Sequence, residues 1–125
     1  MKPTLIIAED VEQIREELHV LLQESFDIVA SVPSGPLAID ACRRHEPELL
    51  LMDVVMPQMS GFEATKRILE GPPPHPKIVL LSEVTNDKVV RMALESGAAE
   101  FLLKSRREER LVKRLLEIAQ ASLSE

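Results

Sequence analysis

The chain has neither tryptophan nor tyrosine, and its only aromatic residues are Phe26, Phe62 and Phe101. Three scattered phenylalanines form no platform on which nucleic-acid bases could stack. A net charge of −6 also opposes direct contact with nucleic-acid phosphates, so no such binding is expected of this chain. The single cysteine, Cys42, excludes an internal disulfide and suits a reducing cytoplasm. No apolar run approaches the ~20 residues of a membrane span. The first run, Leu5-Ile6-Ile7-Ala8, is too short for the core of a signal peptide. A length of 125 residues suits one domain, 1–125, large enough to need no covalent or metal staple. The end at Ser124-Glu125, just after the last helical pattern, reads as a domain boundary.

What the chain does have is regular alternation. Short apolar runs predict strands at 4–8, 27–32, 49–53, 77–81 and 100–103. Helical patterns lie between them. The first, about 12–24, aligns Ile14, Leu18, Leu21 and Leu22, and Asp10 with Gln13 resembles a capping box at its start. The second, about 36–45, carries Leu37, Ala38, Ala41 and Cys42 on its apolar face. The third, about 62–70, carries Phe62, Thr65, Ile68 and Leu69. The fourth, about 86–96, carries Val89, Val90, Ala93 and Leu94, with Gly97 placed for a left-handed C-cap. The last runs from a Ser105/Glu108 capping box to about 122. Gly71-Pro72-Pro73-Pro74-His75-Pro76 reads as a stiff extended connector.

Five strands alternating with five helices imply right-handed crossovers and an α/β fold: a doubly wound, flavodoxin-like parallel sheet of order 2-1-3-4-5 with helices on both faces. Strands 1 and 3 are then neighbours, and ligands bind beyond their carboxyl ends. Glu9 and Asp10 end the first strand and Asp53 ends the third, so three carboxylates share one crevice. Carboxylates at buried strand ends need a neutralising partner. An all-oxygen cluster points to a hard cation, best Mg²⁺. Ser82 and Lys104 end strands on the same edge. This set suits phosphoryl transfer to a carboxylate, where catalysis is positioning and charge neutralisation. Asp53 is the candidate nucleophile, Glu9 and Asp10 with Asp53 hold the cation, and Lys104 and Ser82 contact phosphoryl oxygens.

Glu9-Asp10, Asp53-Val54-Val55-Met56-Pro57 with Gly61, Ser82 and Lys104 together resemble the receiver domain of two-component response regulators, over about 4–120. Gly97-Ala98, Phe101-Leu102-Leu103-Lys104 and Phe62-Glu63-Ala64-Thr65 are most similar to receivers that carry a C-terminal helix-turn-helix output domain. The resemblance implies a cytoplasmic signalling switch rather than a turnover enzyme. It would take a phosphoryl group from a sensor histidine kinase or phosphotransfer protein onto Asp53, with Mg²⁺, and hydrolyse it slowly. Glu9, Asp10, Asp53 and the Val55 backbone carbonyl would ligate the metal, with Ser82 and Phe101 as the switch pair and Lys104 on the phosphoryl group. The output would be transcription, through a DNA-binding domain in the parent protein. Homodimers through helix 4, strand 5 and helix 5, or through helices 1 and 5, both fit the resemblance.

This chain departs from that pattern in three places. Glu83 follows the switch hydroxyl where a small residue is usual, and its charge would oppose an incoming phosphoryl group. A pseudo-receiver, a binding module that has lost phosphorylation, is therefore the alternative. Ser105 replaces a common proline, which leaves the Lys104–Ser105 peptide bond open between cis and trans. Val55 and Val84 offer no side chain to orient water, which implies a long-lived phosphoryl group. A flavodoxin-like electron carrier is opposed by the acidic loop Glu9-Asp10-Val11-Glu12, which would repel a phosphate. A haloacid-dehalogenase-like phosphatase would need an acid at Val55.

Taken singly, Asp10 reads equally as a helix cap, Ser82 as a turn residue and Lys104 as a solvated strand end. Cys42 reads as a small core residue, and His19, His45 and His75 as surface residues. Arg106, Arg107, Arg110, Lys113 and Arg114 read as a solvated helix face. Opposite them, Leu111, Leu115 and Ile118 suit a core stripe, while Val112, Leu116 and Leu123 widen it toward a partner surface to which Met92 would belong.

Overall fold

A computed structural model describes residues 1–104 and 108–121. The strands are β1 (Thr4–Ala8), β2 (Asp27–Val32), β3 (Leu49–Asp53), β4 (Lys77–Ser82) and β5 (Glu100–Leu103). The helices are α1 (Glu12–Leu22), α2 (Gly35–His45), α3 (Gly61–Glu70), α4 (Asp87–Ser96) and α5 (Glu108–Ala121). All strand pairs are parallel, in the order β2-β1-β3-β4-β5. The expected flavodoxin-like arrangement is what the chain adopts. The Ser105/Glu108 cap, the Lys104–Ser105 peptide bond, Arg106, Arg107 and Leu123 lie outside the described residues and side chains.

Strand alternation divides the interior in two. Ile6, Ala8, Leu50, Met52, Ile78 and Leu80 pack with Ala38, Cys42, Phe62, Ile68 and Ala93 beneath α2, α3 and α4. Leu5, Ile7, Leu49, Leu51, Val79 and Leu81 pack with Leu22, Leu111, Leu115 and Ile118 beneath α1 and α5. Every residue of β3 is buried, as a central strand covered on both faces requires. Asp53 is therefore held at the end of the most enclosed strand.

Several local expectations need correcting. Asp10 does not cap α1: the cap position is Val11, without a side-chain bond. The helix begins one residue later than a cap at Asp10 would require, and Glu9 Oε2 accepts the Val11 N–H instead (3.1 Å). In α2, Leu37 is exposed while Ile39 is buried. The inward set Gly35, Ala38, Ile39 and Cys42 follows the i, i+3, i+4, i+7 spacing and leaves Leu37 on its flank. In α4, Val89, Ala93 and Ser96 face inward, so Leu94 is exposed. Val112 and Leu116 are half-covered at the flank of the α1–α5 core, as a widened core stripe requires.

The Gly97 signal holds, and the structure adds two side-chain caps. Gly97 ends α4 at φ +97°, a conformation glycine adopts without steric cost. Ser60 and Asn86 cap α3 and α4, accepting from Glu63 N–H (3.1 Å) and Val89 N–H (2.9 Å).

Candidate functional site

Parallel strands bring their carboxyl ends to one edge, and the polar residues gather there. Asp53 ends β3 and is buried, as is Glu9, just past β1, while Asp10 is exposed. One carboxylate oxygen from each lies within 4.8 Å of the others. Three like charges this close repel one another. Lys104, just past β5, offsets part of that. Its Nζ is 2.9 Å from Glu9 Oε1 and 2.9 Å from Asp53 Oδ2. Lys104 thus spans the ends of three strands.

Burial raises the Glu9 pKa, because a desolvated carboxylate resists ionisation; Lys104 and the Val11 N–H only partly oppose this. Burial alone would lower the Lys104 pKa, but the carboxylates of Asp53 and Glu9 outweigh it and raise the pKa overall. Glu9 Oε1 touches Lys104 but accepts no aligned hydrogen bond, an orphaned acceptor in a buried place. Asp10 has no side-chain partner among the described residues. An orphaned oxygen, a free carboxylate and an all-oxygen donor set fit a hard divalent cation.

The loop after β3 frames Asp53. Asp53 Oδ1 accepts the Val55 N–H (3.3 Å), Val54 N–H bonds Leu81 O (2.9 Å), and Gly61 N–H bonds Val54 O (2.8 Å). Gly61 passes so near that a Cβ there would stand 2.5 Å from the Asp53 carbonyl oxygen. This close approach accounts for glycine at the start of α3. Val55 and Val84 are 72% and 60% exposed at the rim, as apolar groups without polar atoms.

Ser82 ends β4, buried beside the site, and Lys104 N–H bonds its carbonyl (2.8 Å). Its hydroxyl is turned to its own loop, donating to Val84 O (2.8 Å) and accepting from Val84 N–H (3.1 Å). Phe101 is half-buried against the α2–α3–α4 core, one pleat from Ser82 on the same sheet face. Glu83 is exposed, in a groove with Ile14, Leu18, Leu103 and Lys104 between α1 and α5. The edge thus gathers Glu9, Asp10, Asp53, Val55, Ser82 and Lys104, while Phe101 lies one pleat below it.

Two contacts escaped the sequence reading. Arg114 is not simply solvated: it grips Glu100 of β5 through Nε (2.5 Å) and Nη2 (2.7 Å). Arg15 Nη1 donates to the Glu9 carbonyl (2.7 Å). The only signal for Arg15 was a cation near the positive end of a helix dipole, where cations are disfavoured.

Residues 5–116 match the response regulator receiver domain family. The transcriptional regulatory protein LnrK of Bacillus subtilis is 34% identical over 91% of this chain and 52% of its own length. The chemotaxis protein CheY of the same organism is 27% identical over 90% of this chain and 93% of its own. The receiver domain structure of NarL from Mycobacterium tuberculosis superposes with TM-score 0.90 at 28% identity, covering 95% of this chain and 97% of that one. The chain spans about half the length of LnrK, and of DegU from Brevibacillus brevis, also a transcriptional regulatory protein. No helix among the described residues is long and apolar enough to cross a membrane.

Proposed function

Because the chain belongs to the response regulator receiver domain family, we propose that it is a phosphorylation switch whose acceptor is Asp53. The carrying observation is a buried carboxylate at the switch point of the sheet, joined to Glu9 through Lys104. An Asp53 carboxylate oxygen attacks the phosphorus of a phosphohistidine on a sensor kinase or phosphotransfer protein. The P–N bond breaks, its electron pair stays with the imidazole, and an aspartyl phosphate remains.

Glu9, Asp10 and Asp53, with the Val55 carbonyl, would hold Mg²⁺. When bound, Mg²⁺ neutralises charge on phosphoryl oxygens. Lys104 touches Asp53 and would meet a phosphoryl oxygen as a point charge. Ser82 would turn from Val84 to donate to another oxygen, and Phe101 would follow inward on the same face. The apolar rim of Val55 and Val84 gives water no partner near the acyl phosphate, which favours slow hydrolysis.

Glu83 is exposed on the α1–α5 side, and this weighs against the pseudo-receiver reading. Likeness to LnrK and DegU supports transcription as the output, exerted through a segment beyond the receiver. The test is intact mass after incubation with acetyl phosphate and Mg²⁺. One phosphoryl group should be added to the wild type and none to Asp53→Asn. Equal labelling of both would reject Asp53 as acceptor.

A further inference from the structure

The turn that carries Glu9 and Asp10 is pinned at three points. Glu9 N–H donates to Val32 O (3.0 Å), Glu9 Oε2 accepts from Val11 N–H (3.1 Å), and the Glu9 carbonyl accepts from Arg15 Nη1 (2.7 Å). The third contact comes from an ill-favoured position. Arg15 is three residues into α1, near the end of the helix dipole that repels cations. It is half-buried beside the acidic turn, yet it pairs with no carboxylate among the described residues. A guanidinium that bonds a carbonyl in such surroundings supplies position more than neutralisation.

We propose that Arg15 is a positioning residue for the divalent cation of this site. By clamping the Glu9 carbonyl it fixes the turn on which Asp10 rides, keeping that exposed carboxylate near Glu9 and Asp53. The proposal rests on the cation reading given above.

Two effects of Arg15 oppose each other. As a positive charge it repels a cation, so its removal would tighten binding. As a clamp it holds the ligands in place, so its removal would loosen binding. Arg15 is only partly covered, so its repulsion acts in part through water and is screened there. Hydrogen-bonding partners that orient metal ligands typically cost 10–100-fold in affinity when removed. The clamp therefore dominates.

The 125-residue chain and its Arg15→Met, Arg15→Ala and Arg15→Lys variants are titrated with MgCl₂ by calorimetry, with melting in EDTA as a folding control. Met keeps the apolar stem without a donor, so it reports even if Ala impairs folding. Arg15→Met should bind Mg²⁺ about tenfold more weakly or worse, and Arg15→Lys, which retains a donor, should recover most of the loss. Wild-type binding with Arg15→Met equal or tighter overturns the positioning role alone. Loss in Met that Lys does not recover overturns it too. No Mg²⁺ binding by the wild type overturns this inference together with the cation reading.

Discussion

Replacing Lys104 by Met removes the one cation paired with the carboxylates of Glu9 and Asp53 among the described residues. The side chains of Glu9 and Asp53 are only 1% and 7% exposed, so water replaces little of the lost contact. Leaving a buried charge without its partner typically costs about 3–5 kcal/mol. A ceiling applies, because Glu9 can take up a proton instead. With an ordinary carboxyl pKa of about 4.3, each pH unit above that value costs about 1.36 kcal/mol, so protonation costs about 3.7 kcal/mol at pH 7 and about 1 kcal/mol at pH 5. The variant should therefore lose about 3 kcal/mol at pH 7 in EDTA, a fall in Tm on the order of 10 °C for a chain of this size.

The sign with pH follows from linkage. Glu9 already has a raised pKa in the fold, and without Lys104 it rises further. The native state then binds its proton more tightly than the unfolded chain does. This contribution is present in full below the ordinary carboxyl value and lost as pH climbs through the raised one. The gap between variant and wild type should narrow steadily from pH 7 to pH 5 in thermal or urea melts. Equal melting at pH 7, or a gap that widens on acidification, would refute the view that Lys104 neutralises this buried pair.

Gly61→Ala should destabilise by about 1–3 kcal/mol, since its Cβ would press on backbone atoms of Asp53 and Val54 that cannot yield as a side-chain tip would. It should also slow labelling by acetyl phosphate, and a variant with unchanged Tm and labelling rate would contradict the close-approach argument. Asp10→Ala should abolish Mg²⁺ binding in calorimetry while raising the Tm in EDTA, because Asp10 caps nothing and adds only repulsion there. A lower metal-free Tm would show that Asp10 stabilises the turn after all.

Much of this was legible in the one-dimensional pattern. Leu49-Leu50-Leu51-Met52 stopping at Asp53 is readable because a strand buried on both faces is apolar throughout, and the acid marks where it leaves the core. Gly97 and the strand ends at Ser82 and Lys104 are readable for similarly local reasons. The start of α1 was not, since Asp10 and Val11 differ by one residue and the pattern does not show that the Glu9 carboxylate accepts the Val11 N–H. Leu37 and Leu94 were misplaced because short helices with wide apolar faces leave their rotation open until they meet a sheet. Arg114 and Arg15 were missed because their partners, Glu100 and a backbone carbonyl, carry no sequence spacing that points to them.

If Asp53 is the phosphoacceptor, as proposed, the self-closed hydroxyl of Ser82 bears on where the set point of the switch is written. Reaching a phosphoryl oxygen means surrendering two neutral bonds to Val84, each worth about 0.5–1.5 kcal/mol, for one bond to a charged acceptor worth about 1.5–3 kcal/mol. The exchange is close to even, so the two arrangements are nearly degenerate and neither dominates by a wide margin. In such a balance the threshold would be governed by whatever strains or relaxes the turn at Glu83 and Val84, both exposed. Sensitivity can then drift through surface substitutions of a few tenths of a kcal/mol while the core and the acidic crevice stay untouched.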